Sequence, residues 1–241
     1  MTQSPQIKYK RILLKLSGES LAGDAGFGIS ASRLQYFAEQ VLPLHKLGVQ
    51  IGVVIGGGNI FRGLTSHEVN IDRISADQMG MQATVINALA LRSVFEQNGI
   101  PTHVLSAFPV GNFVEAFSSE KAISMLQENK VLIFAGGTGN PYFTTDTAGV
   151  LRAIEIKADV ILKGTRVDGV YNADPEKVED AIMFDELTYM EVVRRGLKVM
   201  DTTAITLAME NDLPIIVFNF NVAGNLDKIV FGEAIGTKVQ G

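Results

Sequence analysis

Cysteine is absent from the 241 residues. Its absence excludes disulfides, thiolate nucleophiles and cysteine-based metal sites together, and makes a reducing cytoplasm the expected setting. A positive balance is missing as well: 26 acidic against 21 basic side chains leave a net charge of -5. Nucleic acid is therefore not expected as a main partner, because duplex binding draws on a basic footprint; small anions need only local cations. No apolar run approaches membrane-spanning length, and the polar opening Met1–Lys10 carries no signal-like stretch, so neither a membrane nor secretion is expected. No Pro/Ser-rich linker or shift in composition divides the chain, which reads as one domain, 1–241, with two lobes. His45, His67 and His103 are isolated, without ligand spacing, and no metal site is assigned to them. Two familiar nucleotide signatures are missing too. No glycine turn is followed by Gly-Lys-Ser/Thr, and Phe61 stands where the third glycine of a dinucleotide fingerprint belongs.

What is present points to a soluble α/β enzyme. Hydrophobic residues make up 46% and charged residues 20%, which excludes global disorder and allows a sizeable core. Two apolar runs end in glycine turns of nearly the same text: Val53-Val54-Ile55 before Gly56-Gly57-Gly58-Asn59, and Leu132 to Ala135 before Gly136-Gly137-Thr138-Gly139-Asn140. A strand that ends in glycines lets backbone N–H groups close on a phosphate. A third turn, Lys15-Leu16-Ser17-Gly18, adds a cation. Three such turns suit two phosphorylated ligands side by side.

Short β-branched runs alternate with helical periodicity. The expected strands are Ile12–Leu16, Gln50–Ile55, Thr102–Leu105, Val131–Ala135, Val160–Leu162 and Ile215–Asn219. From Ser30 to Leu47, Leu34, Phe37, Ala38, Val41 and Leu42 share one helical face, with Ser30 as N-cap and Gly48 as stop. Such alternation implies a three-layer αβα sandwich around a mostly parallel central sheet, with ligands at the carboxyl ends of the strands. The segment Asp72–Asn98 is apolar on every side. It is either a central core helix or one with one face on the sheet and another on a second subunit, where Val94 or Phe95 would make the contact.

Several segments carry a resemblance. Lys8 to Glu19, Gly56-Gly57-Gly58-Asn59 with Phe61-Arg62-Gly63, and Asp77 to Met81 resemble the bacterial uridylate kinases of the amino-acid kinase family. So do Thr138 to Asp146, Lys163 to Asp168, Val170 to Pro175 and Lys198 to Asp201, and the match runs essentially end to end. The resemblance implies an amino-acid kinase-like fold and transfer of the ATP γ-phosphoryl group to UMP, a step of pyrimidine nucleotide biosynthesis, with Mg2+ as Mg-ATP. The N-terminal lobe would mainly hold UMP and the C-terminal lobe mainly ATP. By resemblance, UMP lies against Gly57, Asp77, Thr138, Gly139, Asn140, Pro141, Tyr142, Phe143, Thr144 and Thr145. ATP would lie against Lys15, Leu16, Ser17, Gly18, Gly58, Arg62, Thr165, Tyr171 and Asp174. Lys15, Arg62, Asp146 and Asp201 form the candidate catalytic set.

The residue types fit these roles. Lys15 ends an apolar run, suited to charge developing on a transferring phosphoryl group. Arg62 has the planar fork for bidentate phosphate contact. Asp77 can accept from a ribose diol, or instead pair with Arg73 one helical turn earlier. Asp146 and Asp201 can orient lysines or the metal-nucleotide; Asp146 can equally cap a helix over Thr147–Ile156. Regulation by GTP activation and UTP inhibition, and a homohexamer built from dimers, are also what the resemblance implies. Gly23-Asp24-Ala25-Gly26-Phe27-Gly28 resembles the family's activation loop and Arg92 an effector contact, while Glu96 and His103 stand where some relatives have His and Arg. Two alternatives stay open: another small-substrate kinase of this fold, or a non-catalytic nucleotide- or oxyanion-binding protein.

Overall fold

The strand-forming runs become β1 (Arg11–Leu16), β2 (Gln50–Ile55), β3 (Thr102–Ser106), β4 (Glu115–Ala116), β5 (Val131–Ala135) and β6 (Val160–Thr165). They continue with β7 (Val170–Tyr171), β8 (Met183–Phe184), β9 (Glu186–Thr188), β10 (Ile215–Asn219) and β11 (Thr237–Gln240). These come from a computed structural model that describes residues 6–61 and 70–241. Nine of the strands form one sheet in the order β4-β3-β5-β2-β1-β6-β10-β11-β9, parallel throughout except between β10 and β11. The remaining pair, β7 and β8, makes a small antiparallel ribbon.

Alternation along the central strands sorts side chains into two layers. Ile12, Leu14 and Leu16, with Ile51, Val53 and Ile55, face one core, and Leu13, Val54, Leu132 and Phe134 face the other. The first core is covered by α2 (Ala31–Lys46), α3 (Arg73–Gln97) and α8 (Asn225–Val230); the second is covered by α4 (Ser119–Gln127), α5 (Thr145–Glu155), α6 (Tyr189–Arg195) and α7 (Thr202–Glu210). A short α1 (Glu19–Ala22) follows β1. This is the expected αβα sandwich. Because the central strands are parallel, the three glycine turns share one edge of the sheet, and β5, β2 and β1 are immediate neighbours there.

Helix α2 follows the expectation closely, with Ser30 at its N-cap and Gly48 in the left-handed region at φ 79°. Leu44 is buried on its inner face in place of the half-buried Leu42. Helix α3 begins at an Asp72 cap, whose carboxylate accepts from the Ser75 N–H at 3.0 Å. Its inner face buries Ala76, Thr84, Ala88, Leu91 and Phe95, but its outer face leaves Met79 and Ile86 exposed at 42% and 50%. The helix is apolar all round without being covered all round by its own chain. Phe95 is a core residue at 1% exposure, which removes it as a candidate subunit contact. Strand β6 runs past Leu162 to Thr165, and the short β4, β7, β8, β9 and β11 add to the expected strands, since runs of two to four residues carry too little periodicity to mark them in the sequence.

Candidate active site

Lys15 and Lys163 are paired neighbours in the register of β1 and β6. Lys15 shares the parity of Leu13, so it points toward the α5 side of the sheet; a Cβ on Gly149 of α5 would lie 3.4 Å from its Cγ. Two ammonium groups side by side on adjacent strands repel unless an anion separates them. The anion is Asp146, whose Oδ1 pairs with Lys15 and whose Oδ2 lies 3.0 Å from Lys163 Nζ. Helix α5 delivers it: Thr144 is the N-cap and accepts from the N–H groups of Asp146 and Thr147 at 3.0 and 3.4 Å. Asp146 therefore sits in the first turn, near the positive end of the helix dipole, and is not the cap itself.

Burial alone would raise the Asp146 carboxyl, but the charges and hydrogen bonds of Lys15 and Lys163 outweigh it and hold the group below the usual Asp value. Burial, followed by the repulsion of Lys15, lowers the Lys163 ammonium from its ordinary value, with Asp146 and Asp201 opposing. Lys163 also donates to the Val199 carbonyl. The result is a preset pair of cations held by one carboxylate toward the carboxyl ends of β1 and β6. In the sequence Lys163 opens the Lys163–Asp168 segment without an assigned role. Its signal was there, since it directly extends the apolar run Val160–Leu162 as Lys15 interrupts Ile12–Leu16.

Asp201 makes a different set of contacts. It caps α7, accepting from Ala204 N–H at 2.9 Å, and takes the hydroxyls of Thr144 and of Thr147, the latter at 3.0 Å from each oxygen. It ties the start of α5 to the start of α7 and contacts neither lysine within the ion-pair set. Arg62 lies outside the described residues.

The glycine turns pack against one another and against α3 at the limit of what side chains would permit. A Cβ on Gly18 would meet Asn59 Oδ1 and the Gly56 carbonyl at 2.6 Å each; one on Gly57 would meet Ala83 Cβ and the Gly80 carbonyl at 2.8 Å each. Beside them lies a cavity of about 290 Å³. Its walls bring together Gly57, Asp77, Thr138, Asn140, Phe143, Thr144 and Thr145 from the expected acceptor set, with Gly58, Arg73 and Met81. Gly139, Pro141 and Tyr142 belong to the same loop but do not line it. Tyr142 sits at φ 71°, an unusual conformation for an aromatic residue. Asp77 accepts its N–H at 2.7 Å, and the Arg73 guanidinium lies 5.4 Å from its ring centroid. Asp77 also makes the ion pair with Arg73 at 2.8 Å, so its carboxylate holds the helix start and the loop together at the rim of the cavity.

The residues expected around the second ligand are spread along the same edge. Leu16 is 1% exposed and has only its backbone to offer. Ser17 and Gly18 lead into α1, where Leu21 N–H bonds the Gly18 carbonyl at 2.9 Å. The Thr165 hydroxyl donates to the Val167 carbonyl at 2.7 Å. Tyr171 lies in the β7–β8 ribbon and Asp174 follows it, accepting from Glu176 N–H at 3.1 Å; neither lines the cavity beside the glycine turns. The segment Gly23–Gly28 forms a 3-10 turn over Gly23–Ala25 and then exposes Phe27, and Arg92 is half-buried on α3. Among the described residues no group of three or more His, Cys, Asp or Glu is placed to hold a metal ion. No helix among them is long and apolar enough to cross a membrane.

Known proteins share this fold and much of this sequence. The amino acid kinase family model matches residues 10–219. A uridylate kinase of Bacteroides thetaiotaomicron is 56% identical over 233 residues, covering 97% of this chain and 99% of that protein. One from Limosilactobacillus reuteri is 51% identical over 236 residues, covering 98% of each. Among solved structures, the UMP kinase of Bacillus anthracis superposes with a TM-score of 0.93 at 40% identity, covering 96% of both chains. The chain belongs to the amino acid kinase family and, within it, to the bacterial uridylate kinases.

Proposed function

We propose that this protein is a UMP kinase, transferring the γ-phosphoryl group of ATP to UMP to give UDP and ADP. The observation that carries the reading is the Lys15–Asp146–Lys163 bridge on adjacent strands, next in the chain to Thr144 and Thr145 of the 290 Å³ cavity. The near full-length similarity to uridylate kinases supports UMP as the acceptor. An oxygen of the UMP phosphate attacks the γ-phosphorus, forming the new P–O bond. The bond from that phosphorus to the β,γ-bridging oxygen breaks, and the electron pair leaves with ADP. Negative charge shifts onto that leaving oxygen and spreads over the transferring group. Lys15 and Lys163 meet it as fixed cations, and Asp146 keeps both aimed. The nucleophile needs no general base, because a phosphomonoester has its second pKa at about 6 and is already a dianion at neutral pH.

Mg2+ enters as part of the Mg-ATP substrate, screening its phosphates; the acids near the bridge are already committed to lysines and helix starts. Asp77, the glycines and threonines of the acceptor cavity, and Asn140 hold UMP. Ser17, Gly18, Gly58, Thr165, Tyr171 and Asp174 contact ATP, and Arg62 is assigned to its phosphates from the sequence motif alone. The exposed Met79 and Ile86 with the half-buried Val94 on α3 support association with a second copy, within a homohexamer. GTP activation, UTP inhibition and a cytoplasmic location complete the proposal. The test is ADP release from Mg-ATP with a panel of UMP, CMP, dUMP and AMP. Turnover with UMP well above the others supports the reading, and no turnover with any of them refutes it.

A further inference from the structure

The inner face of α3 is apolar apart from two side chains, and each of these holds a glycine turn. Thr84 is 2% exposed; its hydroxyl donates to the Met81 carbonyl at 2.7 Å and accepts the Gly136 N–H at 2.8 Å. Asn87 is fully buried and forms a reciprocal amide pair with the equally buried Asn59, at 2.7 and 3.0 Å. Each amide uses its second hydrogen on a backbone carbonyl: Asn87 on Gly56 at 2.7 Å, Asn59 on Gly28 at 2.8 Å. The Gly28 N–H returns to the Asn59 carbonyl at 2.8 Å. One helix thus holds the turn after β5 through Thr84, and the turn after β2 together with the end of the Gly23–Gly28 loop through Asn87.

We infer that Thr84 and Asn87 are positioning residues that set the glycine turns of the two-nucleotide site, so that the placement of α3 fixes the geometry of transfer. The chemistry of the pair supports this over a merely stabilising role. An apolar helix needs no amide to bury itself, and a buried amide is costly unless every donor is matched. Here all four amide hydrogens are matched, and two of those matches are backbone carbonyls of the loops that border the ligand edge. The outer face of the same helix exposes Met79 and Ile86. Anything that shifts this face is therefore felt directly at both turns.

The inference rests on the phosphotransfer reading, and two measurements separate the two. In the full chain, Thr84→Val keeps the shape and removes the hydroxyl, while Thr84→Ser keeps the hydroxyl; Asn87→Ser removes the amide pair. Thr84 itself lines the cavity and also holds Gly136, which leads into the cavity's loop, so Thr84→Val is expected to lower kcat/KM for UMP about tenfold with the ATP KM within about twofold, and Thr84→Ser to restore most of it. Asn87→Ser is expected to lower kcat about tenfold with both KM values within about twofold. Amide exchange, read without turnover, is expected to quicken at Gly28 and Gly56–Asn59 in Asn87→Ser while β3 and β5 keep their protection. Parental kinetics per folded molecule, or exchange that rises evenly over the sheet, would overturn the inference and leave these side chains as stabilisers. If the unmodified chain phosphorylates no UMP, the phosphotransfer reading fails, and the exchange pattern alone decides the positioning role.

Discussion

Asp146→Asn is the sharpest perturbation of the bridge. The substitution is close to isosteric but removes the only charge between Lys15 and Lys163 in the described ion pairs. Neutralising one partner of a buried pair costs about 3–5 kcal/mol, and because an amide oxygen still accepts from one ammonium, the lower end, about 3 kcal/mol, is expected. For a chain of this size that is roughly 6–12 °C in Tm, at about 2–4 °C per kcal/mol. The pH dependence identifies the cause. The Asp146 carboxyl is held below its ordinary value, so its contribution is complete above the unfolded pKa of about 3.9 and is lost as pH falls through the lower folded value. In the variant, Lys163 loses its anion and its pKa falls further. Raising the pH then discharges it and relieves the repulsion, so the Tm deficit is largest near neutrality and shrinks toward about pH 10. Thermal unfolding of both proteins across pH 6–10 reads this out. A deficit that stays constant over that range, or a Tm within about 1 °C of the parent, refutes the bridge as an electrostatic unit. In the same variant turnover falls, while the acid limb of kcat/KM stays near pH 6, about where UMP itself titrates. A limb that moves by about one unit would make Asp146 a titrating base.

Other consequences follow from the same geometry. Lys15→Ala is expected to lower kcat by a factor of about 100 or more with the UMP KM little changed, because the ammonium answers charge that develops in transfer; near-normal kcat with a raised ATP KM would make it a ground-state contact. With Asp77 at the rim of the cavity, dUMP is expected to be a poorer acceptor than UMP by about 1–3 kcal/mol in kcat/KM, and equal values would remove the ribose role from Asp77. Ile86→Asp, placed on the exposed face of α3, is expected to leave a folded but smaller assembly by light scattering. A monomeric parent chain would contradict the subunit contact. Phe95→Asp, by contrast, buries a charge in the core and is expected to unfold the chain.

Much of this molecule is legible in its residues, for reasons that can be located. Runs such as Gln50–Ile55 and Val131–Ala135 are buried on both faces, so β-branched density alone marks their bounds, and the glycines after them mark the ligand edge. Lys15 stands out because a lysine inside Ile12–Leu16 needs a buried anion. The partnership itself was hidden, since it depends on the register that sets Lys163 beside Lys15 across 148 positions of chain. Asp201 reads in the sequence as another site acid, yet its carboxylate is taken up by the α7 start and two threonines, a three-dimensional fact without a local signal. The amide pair of Asn59 and Asn87 is likewise silent in the sequence. The first reads as a turn residue and the second as a polar interruption of an apolar helix.

The most direct test of the account follows the phosphorus itself. ATP labelled at the γ-phosphate is incubated with Mg2+, UMP and the chain, and the products are separated and read for position of label. The account predicts that the label appears in the β-phosphate of UDP, one for each ADP formed, with little free phosphate, because the bridge holds the transferring group against UMP. Label recovered only as inorganic phosphate, or retained in ATP, would contradict it.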